Sequence, residues 1–157
     1  MTIPFIGHLC LVVQWKGMVI KMRIMGIDYG DARTGLAVSD EMNILVGEAW
    51  TVNEWNPEVV AETVVREAKA RNVQRLVLGL PKNMDGTEGP RAEKCREFGD
   101  KLRALCDIEL VLWDERRSSI EAHNILHMNG KKEKKHRKTV DAVAASIILE
   151  GYLGTMR

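Results

Sequence analysis

Apolar positions along this chain fall into short strand-like runs and helix-spaced stripes, in the order strand, strand, strand, helix, strand, helix, strand, helix, helix. Arg23 to Ile27 is an apolar run that ends in Asp28. After the glycine-flanked turn Tyr29 to Gly35, the run Leu36-Ala37-Val38 resumes, which predicts a hairpin. Ile44 to Val52 predicts a third strand, interrupted at Gly47. Asn56 then supplies a cap and Pro57 a first helical position. Glu58 and Glu62 stand near the positive end, and Val60, Ala61, Val64, Val65 and Ala68 share one face, so a helix runs to about Asn72. Val73 to Leu80 ends in a continuous apolar run, as expected of a strand buried on both faces. A glycine- and proline-rich loop, Pro81 to Pro90, leads to a helix from Arg91 to about Leu105 with Cys95, Phe98, Leu102 and Leu105 on one side. Ile108 to Trp113 is a further buried strand running into Asp114-Glu115-Arg116-Arg117. Ser118 and Glu121 have capping-box spacing and open a helix that stops at Gly130. Thr139 caps the last helix, with Asp141 in its first turn, and the charged stretch before it is expected as a loop.

Composition adds one asymmetry. The 157 residues suit one soluble domain, with 45% hydrophobic and 29% charged residues and a formal net charge of +1. That near-neutrality hides Lys131 to Lys138, which carries six Lys or Arg against one Glu and points to a polyanionic partner at one place on the surface. Cys10, Cys95 and Cys106 are odd in number and lack metal-type spacing, which argues against a disulfide framework or a zinc site and for a reducing cytoplasm. His123 and His127 stand four apart but have no third ligand in a metal-type context. Residues 1–21 read as an N-terminal extension ahead of a single domain over 22–157, with Met18 or Met22 as the natural start. The extension lacks a basic n-region and a cleavage site, and its apolar run Leu9 to Val13 is too short for a bilayer, so no membrane association is expected. If translated, it is either poorly ordered or an extra edge piece.

The chemistry centres on three acids. Asp28 at a strand end has three readings from its local sequence: a turn-capping carboxylate, the start of a phosphate-gripping loop of the actin and sugar-kinase type, or a metal ligand of a ribonuclease H-like nuclease. Glu115 follows another strand, and Asp141 stands near a helix start. If the two strands are neighbours in a parallel part of the sheet, their ends lie roughly 5–10 Å apart, and a helix crossing that edge can deliver Asp141. Three converging carboxylates repel one another unless cations bind them, and oxygen-rich sites suit Mg2+ or Mn2+. Two such ions can activate water and stabilise the leaving oxygen in phosphodiester cleavage. Around them Arg33, Lys82, Asn83, Arg116 and the strip residues Lys132, Lys134, Lys135, Arg137 and Lys138 are the candidates for holding a nucleic-acid backbone.

The segments GIDYGDARTGLAVSD, LVLGLPKNMDGTEGPRAEKCREFGDKL, VLWDERRSS and KKHRKTVDAVAASIILEGYL together resemble the four signature blocks of the YqgF/RuvX family, bacterial pre-16S rRNA nucleases and Holliday-junction-resolvase homologues. The resemblance runs from about Met22 to Leu153. It implies a ribonuclease H-like α/β fold, a five-stranded mixed sheet flanked by helices, with Asp28, Glu115 and Asp141 as catalytic and metal-binding acids. Arg117, Ser118 and Ser119 depart from an apolar residue and threonines common in relatives, and leave the acids untouched. The implied activity is metal-dependent cleavage of structured nucleic acid, foremost the 5′ end of pre-16S rRNA, with ribosomal precursor particles as partners. A Holliday junction resolvase acting on branched DNA and a non-catalytic assembly factor are the alternatives. A kinase needs a second phosphate loop and a second domain, for which this length leaves no room. Either a monomer or a homodimer fits.

Overall fold

The protein is described here from a computed structural model, which gives the backbone of residues 12–15, 18–117 and 133–156. Five strands, β3 (Arg23–Asp28), β4 (Arg33–Ser39), β5 (Val46–Asn53), β6 (Val73–Leu80) and β7 (Glu109–Asp114), form one mixed sheet in the order β5-β4-β3-β6-β7. β3, β6 and β7 run parallel, while β4 pairs antiparallel with both β3 and β5. Three helices are described, α1 (Pro57–Ala70), α2 (Pro90–Leu105) and α3 (Glu133–Gly154). Ahead of them β1 (Val12–Trp15) and β2 (Met18–Lys21) pair antiparallel as a two-stranded sheet of their own. No described helix is long and apolar enough to cross a membrane.

Strand alternation sorts the core into two layers. Met25 and Ile27 of β3, with Leu36, Val38, Leu76 and Leu78, pack against Val60, Val64 and Ala68 of α1 and Phe98 and Leu102 of α2. On the other face Ile24, Ala37 and Val77 meet Ala145, Ile148, Leu149, Tyr152 and Leu153 of α3. Burying each of these larger side chains contributes about 2 kcal/mol before the entropy cost of ordering it. Gly26 lies between Ile24 and Asp28 under α3, and a Cβ there would stand 2.7 Å from the Ala145 carbonyl oxygen. The helix therefore lies directly on the β3 backbone.

The predicted elements recur with instructive differences. The third strand begins at Val46 instead of Ile44, because Asp40 to Leu45 closes into a turn. Asp40 N–H donates to the Leu45 carbonyl at 2.8 Å, Ile44 N–H donates to Asp40 Oδ1 at 2.9 Å, and Asn43 takes φ 54°. The Asn56 side chain caps α1 as expected, accepting from Glu58 N–H at 3.0 Å. The helix expected over 118–130, with His123 and His127, and also Lys132, lie outside the described residues.

One expectation is corrected. The stretch 133–138, expected as a loop, is helical: α3 begins at Glu133, so Asp141 stands about two turns inside the helix and not in its first turn. Lys, Glu and Arg are good helix formers, and a helix already nucleated by packing at Ala145 to Leu153 propagates through them at little cost. The strands ending at Asp28 and Asp114 both belong to the parallel part of the sheet, and the condition that they be neighbours is not met, since β6 lies between them.

Candidate active site

The carboxyl ends of β3, β6 and β7 share one edge of the sheet, and the acids gather there. Asp28 is the last residue of β3, and Glu115 opens the 3-10 turn Glu115–Arg117 directly after β7. Two strand spacings, about 10 Å, separate those backbones. The gap is closed by what β6 lacks. Gly79 pairs with Trp113 in the ladder between them, and a Cβ at Gly79 would lie 2.3 Å from Glu115 Oε1 and 2.6 Å from Ile148 Cδ1. With hydrogen there instead, the Glu115 side chain lies across β6 and its carboxyl group bonds to that of Asp28.

Asp141 arrives from the other side. Gly35 of β4 pairs with Asp28, and a Cβ at Gly35 would fall 1.9 Å from the Asp141 carbonyl oxygen. The α3 backbone thus rests on β4 immediately beside Asp28, at a position only glycine permits. The Asp141 carboxylate lies 3.3 Å from Arg33 Nε, an ion pair without hydrogen-bond alignment, and its Oδ2 is buried with no hydrogen-bond partner among the described residues.

Such crowding controls protonation. Asp28 is pushed up to about 8, first by burial, then by the charges of Glu115 and Asp141. Two carboxyl groups bond to each other only when one carries a proton, and Asp28 is the group that keeps it. Burial also raises Glu115 and Asp141, opposed by Arg91 in the first case and by Arg33 in the second. Among the described residues no three of His, Cys, Asp and Glu already stand in metal-ligating geometry. Asp28 and Glu115 hold each other instead, and the buried Asp141 oxygen that lacks a hydrogen bond and the retained proton mark a site with more negative charge than its own residues neutralise. A hard divalent cation relieves that excess, so the donor set fits one.

The predicted backbone-holding residues divide. Arg33 reaches the cluster through Asp141. Arg116 lies on Asp114, with Nη2 donating to Oδ2 at 2.6 Å, and this bond holds the Asp114 carboxyl below its ordinary value. The Asn83 side chain donates to Thr87 Oγ1 at 2.9 Å, and its backbone N–H to the Thr87 carbonyl at 2.8 Å, so it shapes the 81–90 loop. Lys82 opens the same loop and lies close enough to lower Asp114 electrostatically. Lys134, Lys135, Arg137 and Lys138 occupy the first turns of α3.

One residue escaped the sequence reading. Arg91, in the first turn of α2, is exposed and forms no ion pair among the described residues, yet its charge favours the ionised forms of Asp28 and Glu115. It lines a cavity of about 70 Å³ with Tyr29, Gly30, Asp31, Lys94 and Cys95. Tyr29 anchors the turn after Asp28 by stacking on Phe98 at 4.1 Å, and Lys94 pairs with Asp31 at 3.2 Å. The GTEGPRA stretch marks a helix start, but nothing local ties its arginine to an acid some sixty residues earlier.

Comparison with known proteins finds relatives over most of the chain. The family described as "RuvX: Holliday junction resolvase" matches residues 22–155. A "Putative pre-16S rRNA nuclease" of Halothermothrix orenii is 43% identical over 132 residues, covering 84% of this chain and 94% of that protein. One of the same description from Bacillus cytotoxicus is 42% identical over 134 residues, covering 84% and 98%. Among solved structures, T. thermophilus RuvC in complex with Holliday junction substrate superposes with a TM-score of 0.52 at 13% identity, over 85% of this chain and 97% of that one, which identifies the fold as ribonuclease H-like.

Proposed function

The chain belongs to the RuvX family, and from that membership we propose that it is a divalent-metal-dependent nuclease that cleaves structured nucleic acid, foremost the 5′ end of pre-16S rRNA. The observation that carries the reading is the bonded pair Asp28 and Glu115 with Asp141 alongside, at the carboxyl edge of the sheet. Asp28, Glu115 and Asp141 would hold Mg2+ or Mn2+, and Asp28, lying between the other two, is suited to serve two ions. Bound there, such ions supply Lewis-acid stabilisation and a nucleophile at neutral pH.

The chain's own part is to collect and aim negative charge. Gly79 and Gly35 let two acids approach a third whose strand ends between them. Asp28 gives up its proton when a cation takes the place of repulsion, so occupancy and deprotonation are linked. Arg33 orients Asp141, and Arg91 biases Asp28 and Glu115 toward the ionised state. On α3, positions 134, 137, 138 and 141 fall on one helical stripe, which leads a phosphate backbone from Lys134, Arg137 and Lys138 toward Asp141. Arg116, Lys82 and the loop held by Asn83 border the same edge from the β7 side. Ribosomal precursor particles are the expected partners.

A branched-DNA substrate is the second reading, favoured by the family's description. The deciding experiment presents a labelled 16S rRNA precursor fragment and a four-way DNA junction side by side, with Mg2+, Mn2+ or EDTA, to wild type and Asp28→Asn. Metal-dependent cutting of the RNA alone, lost in the variant, supports rRNA maturation. Cutting of the junction alone supports the resolvase. Binding of either without cutting under any metal leaves an assembly factor.

A further inference from the structure

Two large apolar side chains protrude from the edge that carries the acids: Met84, 92% exposed, and Trp55, 75% exposed. The indole is the informative one. Asn53, the last residue of β5, pairs with Arg33, and Glu54 N–H donates to the Ala32 carbonyl at 3.2 Å. Trp55 thus follows directly on a backbone bond to the turn between Asp28 and Arg33. β5 lies two strand spacings, about 10 Å, from β3, a span of a few nucleotides along a bound strand.

A tryptophan immediately before a helix cap has an ordinary explanation, since an apolar residue there commonly packs back on the fourth helical residue. That residue is Val60, which is 1% exposed and belongs to the core under α1, while Trp55 remains largely in water. The other indoles with described surroundings are covered: Trp50 lies under the Arg71 guanidinium at 4.3 Å, and Trp113 meets Tyr152 edge-on at 6.0 Å. Trp55 has no such cover among the described residues. The carboxylates beside it are engaged, Glu54 Oε1 accepting from Asn56 N–H at 3.1 Å and Glu58 pairing with Lys101 at 2.5 Å. Their charge therefore opposes an approaching strand less than two free acids would.

We propose that Trp55 is a stacking platform for an unpaired nucleobase of the substrate strand that crosses the acid edge. The preferred substrate then presents single-stranded nucleotides a few positions from the scissile phosphate, on the β5 side. The chemistry is general: every base has a π-face, stacking on an exposed ring tolerates any sequence, and a base inside a duplex has already spent both faces on its neighbours. This deepens the nuclease reading and rests on it.

The test measures binding in EDTA, so that no turnover intervenes. A fluorescein-labelled single-stranded RNA oligonucleotide and a blunt duplex of the same sequence are titrated with the full chain as wild type, Trp55→Ala, Trp55→Phe and Trp55→Leu. Trp55→Ala is expected to weaken single-strand binding about ten-fold or more, Trp55→Phe to recover most of it, and Trp55→Leu to recover little, with duplex affinity within about two-fold throughout. Recovery by leucine equal to that by phenylalanine overturns the proposal, because apolar cover would then suffice. An equal loss on the duplex, or no loss at all, overturns it too. Failure to cut any substrate with any metal sinks the nuclease reading, while the single-strand binding pattern still decides the stacking site.

Discussion

Gly79 is the reason Glu115 reaches Asp28: a Cβ on that glycine would stand 2.3 Å from Glu115 Oε1, inside the path by which the side chain crosses β6. The obstructed atoms, Glu115 Oε1 and Ile148 Cδ1, are both side-chain ends, the second packed in the core. Gly79→Ala is therefore expected to fold, with a stability loss of about 1–2 kcal/mol, while cleavage falls about a hundred-fold because the carboxyl group is pushed off Asp28. Thermal melts and rates on one substrate check the pair of outcomes. A variant that keeps full rate shows that Glu115 can work without its bond to Asp28.

Gly35 makes the opposite case. There the obstruction is backbone, the Asp141 carbonyl oxygen at 1.9 Å and its carbon at 2.5 Å, so an alanine moves the whole helix. Gly35→Ala should cost about 3 kcal/mol and take activity with it. Denaturant unfolding read beside Gly79→Ala separates the two, since one glycine admits a side chain and the other admits α3.

Much of this site is legible in the sequence alone. A carboxylate at the end of an apolar strand needs only the alternation of runs and turns to be noticed, and Asp28 and Glu115 both sit where that pattern puts them. Whether their strands are neighbours the pattern leaves open: β6 intervenes, and the bridge depends on a glycine whose role appears only when the Glu115 side chain is seen over it. Thr139 resembles a cap and so points to a helix start at Asp141. Capping signals are local, whereas the start of α3 is set by how far packing further along carries the helix. Arg91 and Trp55 lie far in sequence from the acids whose edge they share, and only the sheet order brings them there.

The raised Asp28 makes stability depend on pH and on metal. Its ordinary value of 3.8 in the unfolded chain rises to about 8 in the fold, so the native state binds the extra proton. Stability contributed by this group is complete below about 4 and declines as pH rises through the window from 3.8 to 8, the reverse of a salt-bridged acid. At neutral pH without metal, Asp28→Asn should stabilise the protein, on the order of 2–4 kcal/mol. Adding Mn2+ should raise the melting temperature of wild type and leave the variant unmoved. Melts from about pH 4 to 9, with EDTA or Mn2+, read both effects. Destabilisation by Asp28→Asn under EDTA contradicts the repulsion picture.

Arg91 should show itself in the pH profile. Its charge opposes the upward push on Asp28 and Glu115, so Arg91→Gln removes that opposition and lets both acids rise further. Activity that needs ionised carboxylates then has its acidic limb displaced to higher pH, with the rate largely recovered on the alkaline side. A uniform drop at all pH values would assign Arg91 to substrate binding instead. Circular dichroism of the exposed-site variant checks that the fold is unchanged.

The helical state of residues 133–138 changes what the basic strip can do. In a loop, every cation of the strip is equally free to follow a phosphate backbone. On α3, Lys134, Arg137 and Lys138 lie within about 60° of Asp141 around the axis, whereas Lys135 falls about 120° away. A strand led toward Asp141 along that stripe meets three of these four positions. Removing one cation that neutralises a phosphate should lower the slope of log K against log salt by about 0.7 to 0.9. The triple variant Lys134→Ala, Arg137→Ala, Lys138→Ala should therefore flatten the slope by about 2 to 3 units, and Lys135→Ala alone should leave it almost unchanged. Binding isotherms from low to moderate salt measure both slopes. Equal effects per residue, Lys135 included, would mean that the strip engages nucleic acid as an unstructured polycation and that the stripe does not guide the strand.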